Sequence, residues 1–148
     1  MKKLLMTAIK TSISEVMETM FFLPVEFGRE ATLDQCGMDK KNTMASQLAF
    51  TGDFSGRLIL LAPRNLIAEM AENFMGEPRR NLTEDYFSGT LAEMLNMVCG
   101  NALSKTKSQI PFELGIPQMI NASEVSENEV FTIVETFDAK MAVLLKMD

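Results

Sequence analysis

The chain contains no histidine. That absence removes imidazole acid–base chemistry, phosphohistidine relays, Ser-His and Cys-His nucleophile pairs, and most zinc sites. Cysteine is scarce too. Cys36 and Cys99 lie far apart and form no C-x-x-C, so neither a zinc ribbon nor a secreted disulfide framework is indicated. A cytosolic protein with reduced thiols is the expectation. No basic stripe with interleaved aromatics appears, and the net charge is −6, so nucleic acid is not an expected partner. No apolar run is long enough to span a bilayer. The opening M-K-K-L-L-M-T-A-I-K has the basic-then-apolar order of a leader. Its apolar run stops at Lys10, however, and Ser12, Ser14 and Glu15 follow. The Asp and Glu residues show no metal-loop spacing, and no intrinsic metal is expected.

What is present is ordinary globular material. Of 148 residues, 47% are hydrophobic and 23% charged, which suits one domain with a sizeable core rather than a disordered chain. Apolar residues recur at three and four from about Leu5 to Phe22, as in Ile9, Ile13, Val16, Met17 and Met20. This predicts an amphipathic helix ended by Pro24. The stretch from Val25 to Asn42 reads as irregular. Met44–Thr51 and Gly56–Leu61 alternate and are joined by G-D-F-S-G, a hairpin signal. A short helix is expected over Arg64–Phe74, closed by Gly76 and Pro78. A long one follows from about Thr83 to Lys107. Three strand-like runs finish the chain, Ile116–Ser123, Glu129–Thr136 and Lys140–Met147, the last two turned by F-D-A.

The two halves echo each other. Phe54–Leu61 resembles Phe137–Leu145, and Ser14–Met20 resembles Ala92–Val98. The second match aligns Glu15 with Glu93 and Glu18 with Asn96. Each half thus reads as a helix followed by a hairpin. The expected fold is a single two-layer α+β domain over residues 1–148, an antiparallel sheet with helices on one face.

The long helix carries the functional signal. Its stretch L-A-E-M-L-N-M-V-C-G-N-A-L (Leu91–Leu103) contains Asn and Gly residues that a helix core does not need. With successive residues roughly 100° apart, Phe87, Leu91, Met94, Leu95, Val98 and Ala102 fall on one side. Glu93, Asn96 and Gly100 fall nearly opposite, with Gly89, Ser104 and Lys107. Glu93 and Asn96 are helical neighbours at i, i+3. Gly89 and Gly100 strip bulk from the same line, so something could approach this backbone closely. Read on spacing alone, the same pair also fits an ordinary solvated face. Cys99 lacks a neighbouring cation and reads as packing. Arg79 and Arg80 read as a solvated loop pair. The thirteen methionines read mostly as core, with Met97 flanking the motif.

The run E-M-L-N-M-V-C-G-N (Glu93–Asn101) and the later G-I-P (Gly115–Pro117) resemble the signature of the CheC/CheX family of chemotaxis phosphatases. That signature is a Glu, two residues, an Asn and a downstream Pro. The order of elements resembles CheX along most of the chain. Two places depart from the family. Gly89 stands where CheC-type members have Asp or Ser, with Ser88 one residue further back. Glu18 stands where a second E-x-x-N would have its Asn, so the layout is single-site and closer to CheX.

The resemblance implies an α+β CheC-like fold and a phosphatase acting on the aspartyl phosphate of a CheY-like response regulator. It implies Glu93 and Asn96 as the catalytic residues, with Gly89, Met97 and Gly100 at the partner contact. It implies no cofactor of the chain's own, Mg²⁺ being supplied by the regulator. It also implies a cytoplasmic homodimer joined through sheet edges. The alternative is a docking module of the same fold that binds a response regulator, a receptor-modifying enzyme or a flagellar switch component without hydrolysis. A dimer whose motif is only a relic is a third reading.

Overall fold

A computed structural model describes the whole chain, Met1–Asp148. The first helix, α1 (Lys2–Met20), forms where the three–four spacing requires it. Leu5, Ile9, Ile13, Val16 and Met17 make one buried stripe. It ends in a Schellman-type turn, the Leu23 N–H donating to the Met17 carbonyl at 2.9 Å. Phe22 occupies the left-handed position of that turn with φ 57°, where glycine is the usual residue. For a residue with a Cβ this conformation costs roughly 1–2 kcal/mol.

The strands are β1 (Glu26–Phe27), β2 (Thr43–Thr51), β3 (Gly56–Pro63), β4 (Glu113–Leu114), β5 (Gln118–Ile120), β6 (Thr132–Glu135) and β7 (Lys140–Met147). Two further helices, α2 (Arg64–Met75) and α3 (Glu84–Ser104), sit between β3 and β4. The sheet is antiparallel throughout, in the order β1-β6-β7-β3-β2-β4, with β5 also on β2. Both expected hairpins are present. Their inner strands, β3 and β7, join the halves at the centre of the sheet. Leu60 faces Val143 there, and these two residues are also equivalent in the internal echo. The duplication therefore closes on itself about this pair. Gly56 permits the approach, because a Cβ there would come within 2.4 Å of the Lys146 carbonyl oxygen.

Alternation along the strands feeds two layers. Leu48, Phe50, Leu58, Leu60, Val134, Met141, Val143 and Leu145 face all three helices. Ala45, Ile59, Leu61, Ile133 and Ala142 face the other way, where Leu33, Ala122 and Phe131 join them in a smaller cluster. The stretch read as irregular, Val25–Asn42, supplies this cover. It adds β1 to the edge of β6, bridges Ala31 to Phe131, and lays Leu33 over the back face. The strand expected over Ile116–Ser123 pairs only at Gln118–Ile120, and Ala122–Glu124 turns as a 3₁₀ helix.

One buried polar atom lacks a partner. Ser12 is fully buried on α1 and its hydroxyl makes no hydrogen bond. Its counterpart in the echo, Thr90, bonds its own helix through the Tyr86 carbonyl at 2.7 Å. An unmet hydroxyl costs about 1–3 kcal/mol. Ser12→Ala is therefore expected to stabilise the domain by about 1 kcal/mol, raising Tm by roughly 2–4 °C in a thermal melt. A lower Tm would show that the hydroxyl is satisfied.

Candidate functional site

α3 is positioned from both ends. Glu84 and Asp85 stand in its first turn, where carboxylates favour the helix dipole. Glu84 pairs with Arg64 and so ties the start of α3 to the start of α2. Near the other end, Asn101 Nδ2 donates to Glu15 Oε2 at 2.9 Å, and Lys105 Nζ pairs with Glu15 Oε1 at 3.0 Å, joining α3 to α1.

The buried face of α3 comprises Thr90, Leu91, Met94, Leu95, Val98, Cys99, Ala102 and Leu103. Phe87, expected in this stripe, is only half-buried. Cys99 belongs to the core, where burial pushes its thiol up to about 12. At neutral pH that thiol is protonated and is no nucleophile.

The outward face holds the signature pair. Glu93 is exposed and Asn96 half-buried. Along α3 the side chains that hydrogen-bond within the molecule are those of Glu84, Thr90, Asn101 and Ser104. Glu93 and Asn96 make no side-chain hydrogen bond within the molecule. A Cβ on Gly89 would meet nothing within 4 Å. On Gly100 it would meet only Leu114 Cδ1 at 3.9 Å, an ordinary contact. Nothing inside the molecule asks for glycine at either place, although each costs the helix about 1 kcal/mol against alanine. The bare backbone faces outward. Met97 lies half-buried beside the pair and packs partly against the core. Lys107, placed on the same line by periodicity, falls beyond the end of the helix at Ser104.

Gly100 and Ser104 also form one wall of a cleft of about 560 Å³, whose other wall includes Ile110, Pro111, Phe112 and Leu114. Pro117, the downstream proline of the signature, is half-buried just before β5. No three His, Cys, Asp or Glu side chains stand together so as to hold a metal ion.

Sequence periodicity did not reveal the Glu15 contact. It joins residues far apart in the chain, and no local pattern marks it. Glu15, aligned with Glu93, is held by Asn101 and Lys105. The Asn101 hydrogen bond first, then Lys105, keeps the Glu15 carboxyl below its ordinary pKa. The contact is fully present above the unfolded carboxylate's pKa and is lost as pH falls through the lowered value. Glu18 offers a carboxylate where Asn96 offers an amide. Replacing Glu15 and Glu18 together with Ala is expected to leave any phosphatase rate nearly unchanged. A fall as large as that from altering Asn96 would mean that α1 carries a second site.

Comparison with known proteins bears on this helix directly. Residues 44–134, which include all of α3, match the family described as chemotaxis phosphatase CheX. No protein of curated function matches the sequence. CheX from Vibrio vulnificus shares the fold with a TM-score of 0.77 at 16% identity, over 97% of this chain and 96% of that one. A chain of the CheX-CheY-BeF3-Mg²⁺ complex from Borrelia burgdorferi gives 0.76 at 15% identity, over 96% of each chain. FliY from Thermotoga maritima gives 0.59 at 15% identity, over 95% of this chain and 84% of that one. With the family match spanning β2 to β6 and the E-x-x-N pair outward on α3, the chain belongs to the CheX family.

Proposed function

We propose that the chain hydrolyses the aspartyl phosphate of a CheY-like response regulator. The observation that carries this reading is the uncommitted Glu93–Asn96 pair on the outward face of α3, set between two glycines with no internal purpose. The chain needs little else, because the regulator brings Mg²⁺ and a lysine to the acyl phosphate. Asn96 reaches the phosphorus from the open side. Its amide hydrogen-bonds one water and holds it in line for attack, as a glutamine does in GTPases. The P–O bond to the aspartate breaks, inorganic phosphate leaves, and the regulator's carboxylate is restored. Glu93 pairs with the regulator's lysine in a charge-assisted contact. Gly89 and Gly100 let the regulator's loops close on the helix, and Met97 adds an adaptable apolar contact beside them.

The structural likeness to the CheX-CheY complex supports the choice of partner. The likeness to FliY favours a second reading, a docking module that binds without hydrolysis. The deciding measurement adds the purified chain to a phosphorylated CheY-like regulator and times phosphate loss. Faster loss than from the regulator alone supports hydrolysis. Binding with unchanged loss selects the docking reading. Family likeness also suggests a homodimer. The sheet edge formed by β4 and β5, with Leu114, Ile116 and Met119 exposed, offers a place for it. Sedimentation equilibrium showing only monomer would dismiss the dimer.

A further inference from the structure

The cleft at the C-terminal end of α3 is continuous with the face that carries Glu93 and Asn96. Gly100 belongs to both. It lies on the outward line of the pair, and it lines the cleft with Leu103 and Ser104. The opposite wall is the segment 108–114, which runs into β4. At 1.5 Å of rise per residue, Gly100 stands about 6 Å along the helix from Asn96, and Ser104 about 12 Å.

That opposite wall is tied down. The Gln109 N–H donates to Asp53 Oδ2 in the β2–β3 turn, and Ser108 Oγ does so at 3.0 Å. The Phe112 ring meets Phe54 edge-on, with centroids 4.8 Å apart. It also lies so close to Gly52 that a Cβ there would overlap it. A cleft with walls already fixed loses little conformational freedom when a partner fills it.

The chemistry of the lining selects what fits. No charged side chain lines the cleft. The hydroxyls of Ser104, Thr106 and Ser108 already donate within the chain, to the Asn101 carbonyl, the Ala102 carbonyl and Asp53. Only the exposed Gln109 has an uncommitted side-chain amide. What remains on offer is apolar, from Leu103, Ile110, Phe112 and Leu114, and Ile110 is 53% exposed. A charged ligand would find no opposite charge here. An apolar side chain would leave nothing unpaired.

Area decides whose side chain it is. A stable protein–protein contact covers about 800 Å² per partner, a disc of about 16 Å radius. A disc of that size set on Asn96 extends past Ser104 and over the cleft. A second copy of the chain seated there would cover Gly100 and stand in the way of a regulator. On the reading that Glu93 and Asn96 serve a CheY-like regulator, we propose that the cleft receives an apolar side chain of that same regulator. The contact lies away from the reacting atoms and is made equally before and during hydrolysis. It therefore sets affinity for the regulator rather than turnover.

The test uses the whole chain, a labelled CheY-like regulator and two surface variants whose folding is checked by a circular-dichroism melt. Ile110→Ser removes apolar surface from one wall, and Ser104→Trp fills the cleft from the other. Each is expected to raise KM for the phosphorylated regulator about tenfold at unchanged kcat, and to weaken binding to match in fluorescence anisotropy. Phe137→Ser, at the exposed tip of the β6–β7 hairpin, is expected to change neither. If wild type hydrolyses the phosphoaspartate and either cleft variant keeps its KM and affinity, the cleft proposal falls and the phosphatase reading stands. If wild type binds without hydrolysis, the phosphatase reading falls, and weaker binding by both variants still supports the cleft. No binding by wild type overturns both. A fall in kcat alone, or an equal loss in Phe137→Ser, overturns the cleft proposal. A change of mass in light scattering for either cleft variant overturns it in favour of self-association.

Discussion

Asn96→Ala is expected to lower the turnover of phosphorylated regulator by about 100-fold or more while leaving its binding nearly intact. Loss of a single preorganised hydrogen-bonding group at a reacting centre costs on that order. A group that acts only in the transition state appears in kcat and kcat/KM together. Asn96 satisfies the structural condition for such a role. Its amide makes no hydrogen bond within the molecule, so no internal bond has to break before it engages a water. Glu93→Ala is expected to behave differently. If the proposed contact of Glu93 with the regulator's lysine forms, its loss weakens binding as well, by about 1–3 kcal/mol. Neither variant should unfold, because both side chains lie opposite the buried face of Leu91, Met94, Leu95 and Val98. Stopped assays of phosphate loss, titration of binding and a circular-dichroism melt separate these effects. If Asn96→Ala abolishes binding and wild type shows no hydrolysis, the docking reading stands. If both variants match wild type, the pair is a solvated face.

Phe131→Ala should produce the largest loss of stability of the substitutions considered, about 3–5 kcal/mol, with Tm lower by roughly 10 °C. Phe131 is fully buried in the cluster on the side of the sheet away from the helices. It also holds the cover in place. Its N–H donates to the Ala31 carbonyl at 2.8 Å and its carbonyl accepts from Ala31 N–H at 3.0 Å. Removing the ring leaves a cavity beneath Leu33 that the short irregular cover is poorly able to fill. A melt shifted by only a degree or two would show that the back face contributes little to the core.

These two predictions differ in how far the sequence alone could reach them. Glu93 and Asn96 were legible because three residues along a helix always share a face. Their exposure follows from the apolar stripe opposite. The hairpins were legible because alternation and G-D-F-S-G act locally, and β7 spans the expected Lys140–Met147. Phe131 was not legible as an anchor. It precedes a strand of only four residues, and its partner Ala31 lies in a stretch without periodicity. The same holds for β1 and β4, two residues each, which exist only because β6 and β2 present unpaired backbone to them. Cys99, read as packing, is buried in the core as expected.

Side-chain order along the chain thus determined the helices, the two hairpins, the duplicated layout and the outward acid–amide pair. Each depends on spacing within a few residues and on chemistry that no fold can alter, such as an amide at Asn96 against a carboxylate at Glu18. Tertiary structure alone decided that Glu15 is committed to Asn101 and Lys105, that Val25–Asn42 covers the back of the sheet, and that Phe22 stands strained and exposed where two helix ends meet. In each of these cases the partner lies far along the chain. Burial and charge compensation are properties of neighbours in space, which local periodicity does not encode.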